Sequence, residues 1–98
     1  MPSHCTRHAV NLLRDRHWVH TTEHQLLTWL VDQGIARCTE WGYELINPRA
    51  HQGRLANHYS QRNVVINGEH RTRHTAAIRL TDDGIAWLAE AMVESAAA

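Results

Sequence analysis

The chain has 98 residues, of which 43% are hydrophobic. It contains no lysine, so arginines alone, ten of them, balance its ten acidic residues. A chain of this length forms about one small domain with one core, and it has no apolar run near the roughly 18 residues of a membrane span. The N-terminus lacks the apolar stretch of a secretion signal, so we expect a cytoplasmic protein without membrane contact. The expected domain covers residues 1–98, with frayed ends at 1–6 and 95–98. Cys5 and Cys38 are too few for a disulfide framework and are expected to be ordinary thiols.

The first third of the chain predicts two helices. Apolar residues from about His8 to Val19 are compatible with a first helix. Thr22 and Gln25 have the spacing of a capping box, which predicts that a second helix begins at about residue 23 and ends at about 33. Gly34 is placed to end that helix in the left-handed conformation. The apolar stripe of the second helix consists of Leu26, Leu27, Leu30 and Val31.

Strands dominate the middle of the chain. Alternating residues from Trp41 to Ile46 predict a short strand that Pro48 ends. A short helix is expected from Arg54 to Tyr59, because it would bring two apolar side chains four residues apart onto one face. Residues 62–66 predict another strand, and Asn67-Gly68 supplies the two positive φ angles of a type I′ hairpin turn. In the return strand, clearest at 76–80, a period of two places Ile78 inward and Arg79 outward.

A last helix is predicted from about residue 82 to 94. Thr81 is placed to cap it, and Asp82 and Asp83 suit the positive end of its dipole. Its buried stripe is expected to consist of Ile85, Leu88, Ala89 and Met92. Helices and strands in this arrangement predict the α+β class.

Charge is strongly segregated along the chain. The stretch from Arg49 to Arg79 contains six arginines and one acid, Glu69, which gives a formal charge of +5, whereas the rest sums to −5. Four histidines in this stretch, at 51, 58, 70 and 74, would add positive charge near pH 6. The arginine fork suits bidentate contacts with phosphate or guanine. A coding sequence rich in G and C is the simpler explanation for the absence of lysine.

Three features together resemble the KilAC-type C-terminal domain of phage antirepressors, over roughly residues 22–92. They are the Leu-rich helix that ends at Gly34, the two-stranded segment from Arg62 to Leu80 with its polar tip, and a closing Thr-x-x-Gly-x-x-Trp-Leu motif. The motif residues here are Thr81, Gly84, Trp87 and Leu88. The resemblance implies a winged-helix domain of phage or prophage origin that acts in the bacterial cytoplasm and regulates phage or host genes.

In that interpretation the basic hairpin is a wing that neutralises DNA phosphates, while a helix near residues 51–59 lies against the groove. The predicted partner is double-stranded DNA, and the predicted nucleic-acid-binding residues are Arg49, Arg54, Asn57, Arg62, Arg71, Arg73 and Arg79. Three alternatives stay open. The same face could bind a host or phage protein, such as a repressor or a defence complex, it could mediate self-association or a homodimer, or it could be only a solvated charged surface.

Metal binding and catalysis are weakly indicated. His4 and His8, like His20 and His24, have the four-residue spacing of helical zinc ligands, but nine histidines produce such spacings by chance. The chain lacks His-Glu-x-x-His, a Gly-rich phosphate loop and Gly-x-Ser-x-Gly, so we expect neither a cofactor nor an enzyme. Among the four tryptophans, an exposed Trp41 would mark a protein or dimer interface.

Overall fold

The structure is a computed structural model that describes residues 3–97. It confirms the α+β class. In chain order the elements are β1 (Ser3–Cys5), α1 (Thr6–His17), α2 (Glu23–Asp32), β2 (Ala36–Thr39), β3 (Gly42–Leu45), a short 3₁₀ helix (Pro48–His51), β4 (Leu55–Ile66), β5 (Glu69–Thr81) and α3 (Asp82–Ala97). Residues 3–6 and 95–97, where fraying is predicted, belong to β1, α1 and α3. Met1, Pro2 and Ala98 lie outside the described residues.

The predicted capping box begins α2. The Thr22 hydroxyl accepts a hydrogen bond from the Gln25 backbone N–H at 3.1 Å, and the Thr22 N–H donates to Gln25 Oε1 at 3.2 Å. Leu26 and Leu30 are fully buried, and Gly34 has a φ of 72°, so the apolar stripe and the left-handed end of this helix are confirmed. These features form locally because each depends on residues within one or two turns.

The helix expected from Arg54 to Tyr59 is wrong, because β4 begins at Leu55 and continues for 12 residues. The apolar pair Leu55 and Tyr59 is four residues apart, a spacing that also places two side chains on one face of a strand. Along β4 the buried Leu55 and half-buried Asn57 alternate with the exposed Ala56 and His58. The strand predicted around 41–46 is confirmed as β3, whereas its partner β2 was not predicted.

The long strand β5 organises the sheet. It pairs with β4 in antiparallel register from Leu55 opposite Leu80 to Ile66 opposite Glu69. Its other edge pairs with β1 and, at Ala76, with β3. Gly42 has a φ of 136°, and a Cβ there would overlap the carbonyl oxygen of Ala76, so only glycine permits β3 to approach β5 at this point.

All three helices contribute to one core that packs on one face of the β4–β5 hairpin. The buried hairpin residues Leu55, Ile78 and Leu80 share a cluster with residues of α1, α2 and α3, including Leu13, Leu26, Leu30, Ile85, Leu88 and Ala89. Ile78 therefore points inward as predicted, while Arg79 lies on the opposite face, which these helices do not cover. Within residues 3–97, no helix is long and apolar enough to cross a membrane.

The distal half of the hairpin projects from this core as a ribbon of residues 60–75, here called the β-arm. Its residues are all exposed except the half-buried Val64, and the molecule is 52 Å long but 25 Å in its other two dimensions. Asn67 and Gly68 have φ angles of 52° and 79°, which confirms the predicted hairpin turn. A two-stranded ribbon that packs on no core is by itself only marginally stable in water.

Candidate nucleic-acid interface

The register of the hairpin places four arginines on the face opposite the core. Residues that oppose each other across an antiparallel pair share a face, and so does every second residue along each strand. Arg62 lies opposite Arg73, and Arg71 and Arg79 are two and six residues from Arg73 on the same strand. All four therefore project from one side of the hairpin, which we call the arginine face.

Arg62 and Arg73 form the centre of the arginine face. Both are exposed, and the ion pairs among residues 3–97 include neither of them. They line a shallow groove together with Ser60, Val64 and Thr75, and the hydroxyls of Ser60 and Thr75 are hydrogen-bonded to each other across the strands. Two like charges directly opposite each other are destabilising in a sheet. This groove consequently has the positive charge that suits an anion.

The other two arginines of the face already have partners. Arg71 Nη2 donates to Glu69 Oε2 at 3.0 Å, and because both side chains are exposed, this pair can exchange for another anion at little cost. Arg79 is half-buried and donates to the Ser3 hydroxyl at 2.9 Å and to the Ser3 carbonyl at 2.8 Å. Arg79 therefore holds β1 against β5, and this role in the fold was not evident from the sequence.

The three remaining predicted site residues lie apart from that face or at its base. Arg49, in the 3₁₀ helix, lines a groove beside Ala56, where the arginine face begins. The Arg54 guanidinium stacks over the Trp87 ring at 5.5 Å, on the side of α3. Asn57 lies on the core side of the hairpin, where its Oδ1 accepts the Leu45 N–H at 2.7 Å. The structure thus brings Arg62, Arg71, Arg73 and Arg79 together and gives Asn57 a structural partner.

The four histidines of the basic stretch are separated by the same alternation. His58 opposes Ala77 on the arginine face, whereas His70 and His74 oppose Val65 and Gln61 on the other face. His51 packs against Trp87, with ring centroids 5.6 Å apart. Of the four, His58 is therefore the histidine that lies on the arginine face.

A cluster of polar and aromatic side chains braces the base of the β-arm against β3. The Tyr59 hydroxyl donates to Glu44 Oε2 at 2.9 Å, and Arg37 Nε donates to Glu44 Oε1 at 2.6 Å. The bonds to its carboxylate, first from Tyr59 and then from Arg37, lower the pKa of Glu44, and the bond to Glu44 raises the pKa of Tyr59. Trp41 is exposed and packs beside His74, with ring centroids 5.8 Å apart. The hairpin thus has a fixed base and a free tip.

The closing sequence motif has a structural explanation. The Thr81 hydroxyl donates to the Gly53 carbonyl at 2.7 Å and accepts the Gly84 N–H at 3.1 Å, as expected for a helix cap. A Cβ at position 84 would overlap the Arg54 carbonyl oxygen, so glycine permits the loop before β4 to contact α3. The stripe of Ile85, Leu88 and Ala89 is buried as predicted, with Met92 packed against it. The motif joins the hairpin to the last helix.

The histidine and cysteine side chains do not form a metal site in the part of the chain that the structure describes. No group of three or more His, Cys, Asp or Glu residues is placed there to hold an ion. His4 and His8 are neighbours, with ring centroids 5.0 Å apart, but His4 Nε2 is hydrogen-bonded to Asp82 at 2.9 Å. Cys5 and Cys38 are free and exposed.

Comparisons of the chain with protein-family models, curated proteins and solved structures gave no match. The geometry and charge of the arginine face are therefore the features of this chain that indicate what it binds.

Proposed function

We propose that this protein is a DNA-binding regulator that contacts the phosphate backbone through the arginine face of its β-arm. The observation that carries the proposal is the cross-strand pair of Arg62 and Arg73, two arginines at directly opposed positions that have no acidic ion-pair partner among residues 3–97. Such a pair is unfavourable in the free ribbon and becomes favourable when phosphates neutralise it and counterions are released.

The shape of the β-arm supports the same function. The major groove of B-form DNA admits an α-helix or a two-stranded β-ribbon, so the arm can enter a groove without the helix that was expected at residues 51–59. Arg71 and Arg73 extend the charged face toward the tip, and Arg49 continues it at the base. The resemblance to antirepressor domains of phages implies a role in regulating phage or host genes in the bacterial cytoplasm, and we keep that role as part of the proposal.

A second candidate function is inhibition of a host or phage protein through the same arm. The observation that favours it is the apolar tip, where the side chains of Val65 and Ile66 are exposed. Exposed apolar residues beside charged ones are typical of surfaces that bind proteins. A protein-directed inhibitor would capture its target and would not bind duplex DNA.

The test of the first function is fluorescence anisotropy of labelled random duplex DNA, titrated with protein at about 50 and 200 mM salt. We expect a dissociation constant of about 1–100 µM that weakens steeply with salt, as for other sequence-independent phosphate contacts. Replacing Arg71 and Arg73 together by alanine should weaken binding about tenfold and reduce the slope of log K against log salt by about 2. Because both arginines are exposed, the fold should remain intact.

A matched control replaces Arg7 and Arg14 by alanine, because these exposed arginines lie on α1 and their loss changes net charge equally. The control should retain most of the affinity. If both double variants bind DNA as the unmodified protein does, or if both lose affinity equally, the arginine face is not the DNA surface. A well-folded protein that binds no duplex at either salt concentration would favour the inhibitor function, which affinity capture of a partner from host lysate would then test.

A further inference from the structure

The hairpin and the last helix have opposite charges. Residues 55–81 contain four arginines and one acid, whereas α3 contains four acids and no basic residue. The acids of α3 are Asp82, Asp83, Glu90 and Glu94. Asp82 pairs with His4 and Arg16 at the start of the helix, but the ion pairs among residues 3–97 include neither Glu90 nor Glu94. The second half of α3 is therefore an acidic surface whose carboxylates form no ion pair within residues 3–97, although Arg54 lines a groove with Glu90.

A groove runs between this acidic surface and the end of α1, and we call it the α3 groove. It has a volume of about 450 Å³ and is lined by His17, Val19, Ala89, Glu90, Val93 and Glu94. Ala89 forms a buried apolar floor, and Val93 is 58% exposed on the rim. The nearby α1 arginines do not neutralise its acids, because Arg14 pairs with Asp15 and Arg16 pairs with Asp82. The α3 groove thus combines apolar contact area with two unpaired carboxylates.

The tip of the β-arm has the complementary properties. Val65 and Ile66 are 63% and 47% exposed and lie immediately before the Asn67-Gly68 turn. Arg71 and Arg73 belong to the arginine face and lie on the strand that follows this turn. The tip of a two-stranded ribbon is narrow, so it can enter a groove on a helical surface that a flat face could not fill.

We infer that the β-arm tip of one copy of this protein docks in the α3 groove of a second copy. Ile66 shares the arginine face with Arg71 and Arg73, so it contacts the apolar floor and Val93 while these arginines face Glu90 and Glu94. Apolar area and opposite charge are thus matched together. The two contacting surfaces are different, which makes the interface heterologous and produces a head-to-tail ring or chain.

This association goes beyond the proposed function, because it needs no DNA. It also has a consequence for that function. An arm whose arginines face the α3 groove of a neighbour cannot present them to phosphates, so self-association and DNA binding compete for the same residues.

The test is a charge-reversal experiment read by sedimentation velocity without DNA. At about 20 mM salt, where surface charges are weakly screened, the average mass of the unmodified protein should rise with concentration, and it should fall to the monomer at about 500 mM salt. The variants E90R/E94R and R71E/R73E should each need at least about tenfold more protein to associate, because each places like charges in contact. An equimolar mixture of the two variants should associate as the unmodified protein does, since each arm then faces a groove of opposite charge.

The control variant D32R/E40R makes the same change in net charge as E90R/E94R at two exposed acids, one at the end of α2 and the other in the turn between β2 and β3, and it should associate normally. Far-ultraviolet circular dichroism confirms that each variant is folded. Three outcomes would overturn the inference: a monomer at every concentration of the unmodified protein, an equimolar mixture that fails to associate, or a control that loses association as strongly as E90R/E94R. None of these outcomes bears on duplex binding, so failure here is distinguishable from failure of the DNA proposal.

Discussion

Arg62 lies directly opposite Arg73 on the exposed ribbon formed by β4 and β5. Because like charges at opposing positions destabilise a strand pair, removing one of them should leave the fold as stable or more stable, by up to about 0.5 kcal/mol. We therefore expect Arg73→Thr to raise or preserve the midpoint of urea unfolding while it lowers affinity for duplex DNA. Most substitutions destabilise a protein, which makes this direction diagnostic.

Binding of an anion between Arg62 and Arg73 can be measured through its effect on stability. Sulfate should raise the unfolding midpoint of the unmodified protein more than that of Arg73→Thr, compared at equal ionic strength with chloride, because a bound anion neutralises both guanidinium groups. Arg7→Ala, which removes an exposed arginine from α1, serves as the control and should respond as the unmodified protein does. If sulfate stabilises all three proteins equally, the opposed pair does not bind anions.

The hydrogen bond from the Leu45 N–H to Asn57 Oδ1, 2.7 Å long, joins β3 to the hairpin in a half-buried position. Asn57→Ala leaves that N–H without its acceptor, so we expect the free energy of unfolding to fall by about 1–2 kcal/mol. DNA affinity of the folded protein should not change, contrary to the sequence-based prediction that Asn57 binds nucleic acid. Asn63→Ala, on the exposed β-arm, is the control and should change stability by less than about 0.5 kcal/mol. Equal stability of both variants would contradict this assignment.

The parts of the fold that could be predicted from sequence are those fixed by neighbouring residues. The Thr22 capping box, the Asn67-Gly68 turn and the Thr81 cap each depend on side chains and φ angles within a few positions, and all three are confirmed. The sequence predicts a helix from Arg54 to Tyr59, because the four-residue spacing of Leu55 and Tyr59 fits a helix and a strand equally. The register with β5, more than a dozen residues away in sequence, decides between them.

In the candidate site, too, only the features fixed by neighbouring residues could be predicted from the sequence. A basic hairpin was evident from Arg62, Arg71 and Arg73, because they surround a recognisable turn. The face of the hairpin on which Asn57 lies could not be predicted, because the sequence predicts a strand only from residue 62, whereas β4 begins at Leu55. Partners distant in sequence, such as Ser3 for Arg79, leave no local pattern at all.

Trp18 has a backbone conformation that favours glycine. It follows α1 with a φ of 61°, and its side chain is 85% exposed. A non-glycine residue in this left-handed conformation loses about 1–2 kcal/mol, and the exposed indole recovers little of it by burial. We therefore expect Trp18→Gly to increase the free energy of unfolding by about 0.5–1 kcal/mol, measured by urea titration.

The control for this substitution is Trp29→Gly, since Trp29 packs against the core within α2 and its loss should be strongly destabilising. A destabilising effect of Trp18→Gly would show that the indole contributes to folding despite its exposure.

Because Trp18 adjoins two residues that line the α3 groove, His17 and Val19, the same variant can be tested for self-association. An increase in stability together with weaker association would identify Trp18 as a binding residue that reduces the stability of the monomer.

The contacts of Asp82, the first residue of α3, make the stability of the fold depend on pH. Its carboxylate accepts hydrogen bonds from His4 at 2.9 Å and Arg16 at 3.1 Å, and these partners, His4 first, lower the pKa of Asp82. A carboxyl whose folded pKa is lowered stabilises the fold above its unfolded pKa of about 3.9, and that contribution is lost as pH falls through the lower folded value. We therefore expect Asp82→Asn to be less stable than the unmodified protein at pH 6, and the difference to shrink below about pH 4.

The measurement for Asp82 is thermal unfolding across that pH range, with Asp83→Asn as the control. Asp83 lies in the same helical turn, but the hydrogen bonds and ion pairs among residues 3–97 do not include its side chain, so its replacement removes equal charge near the helix dipole without breaking the contacts with His4 and Arg16. The stability difference between the two variants isolates those contacts. If that difference is zero at pH 6, or is as large in strong acid as at pH 6, the contacts of Asp82 with β1 and α1 do not stabilise the folded state.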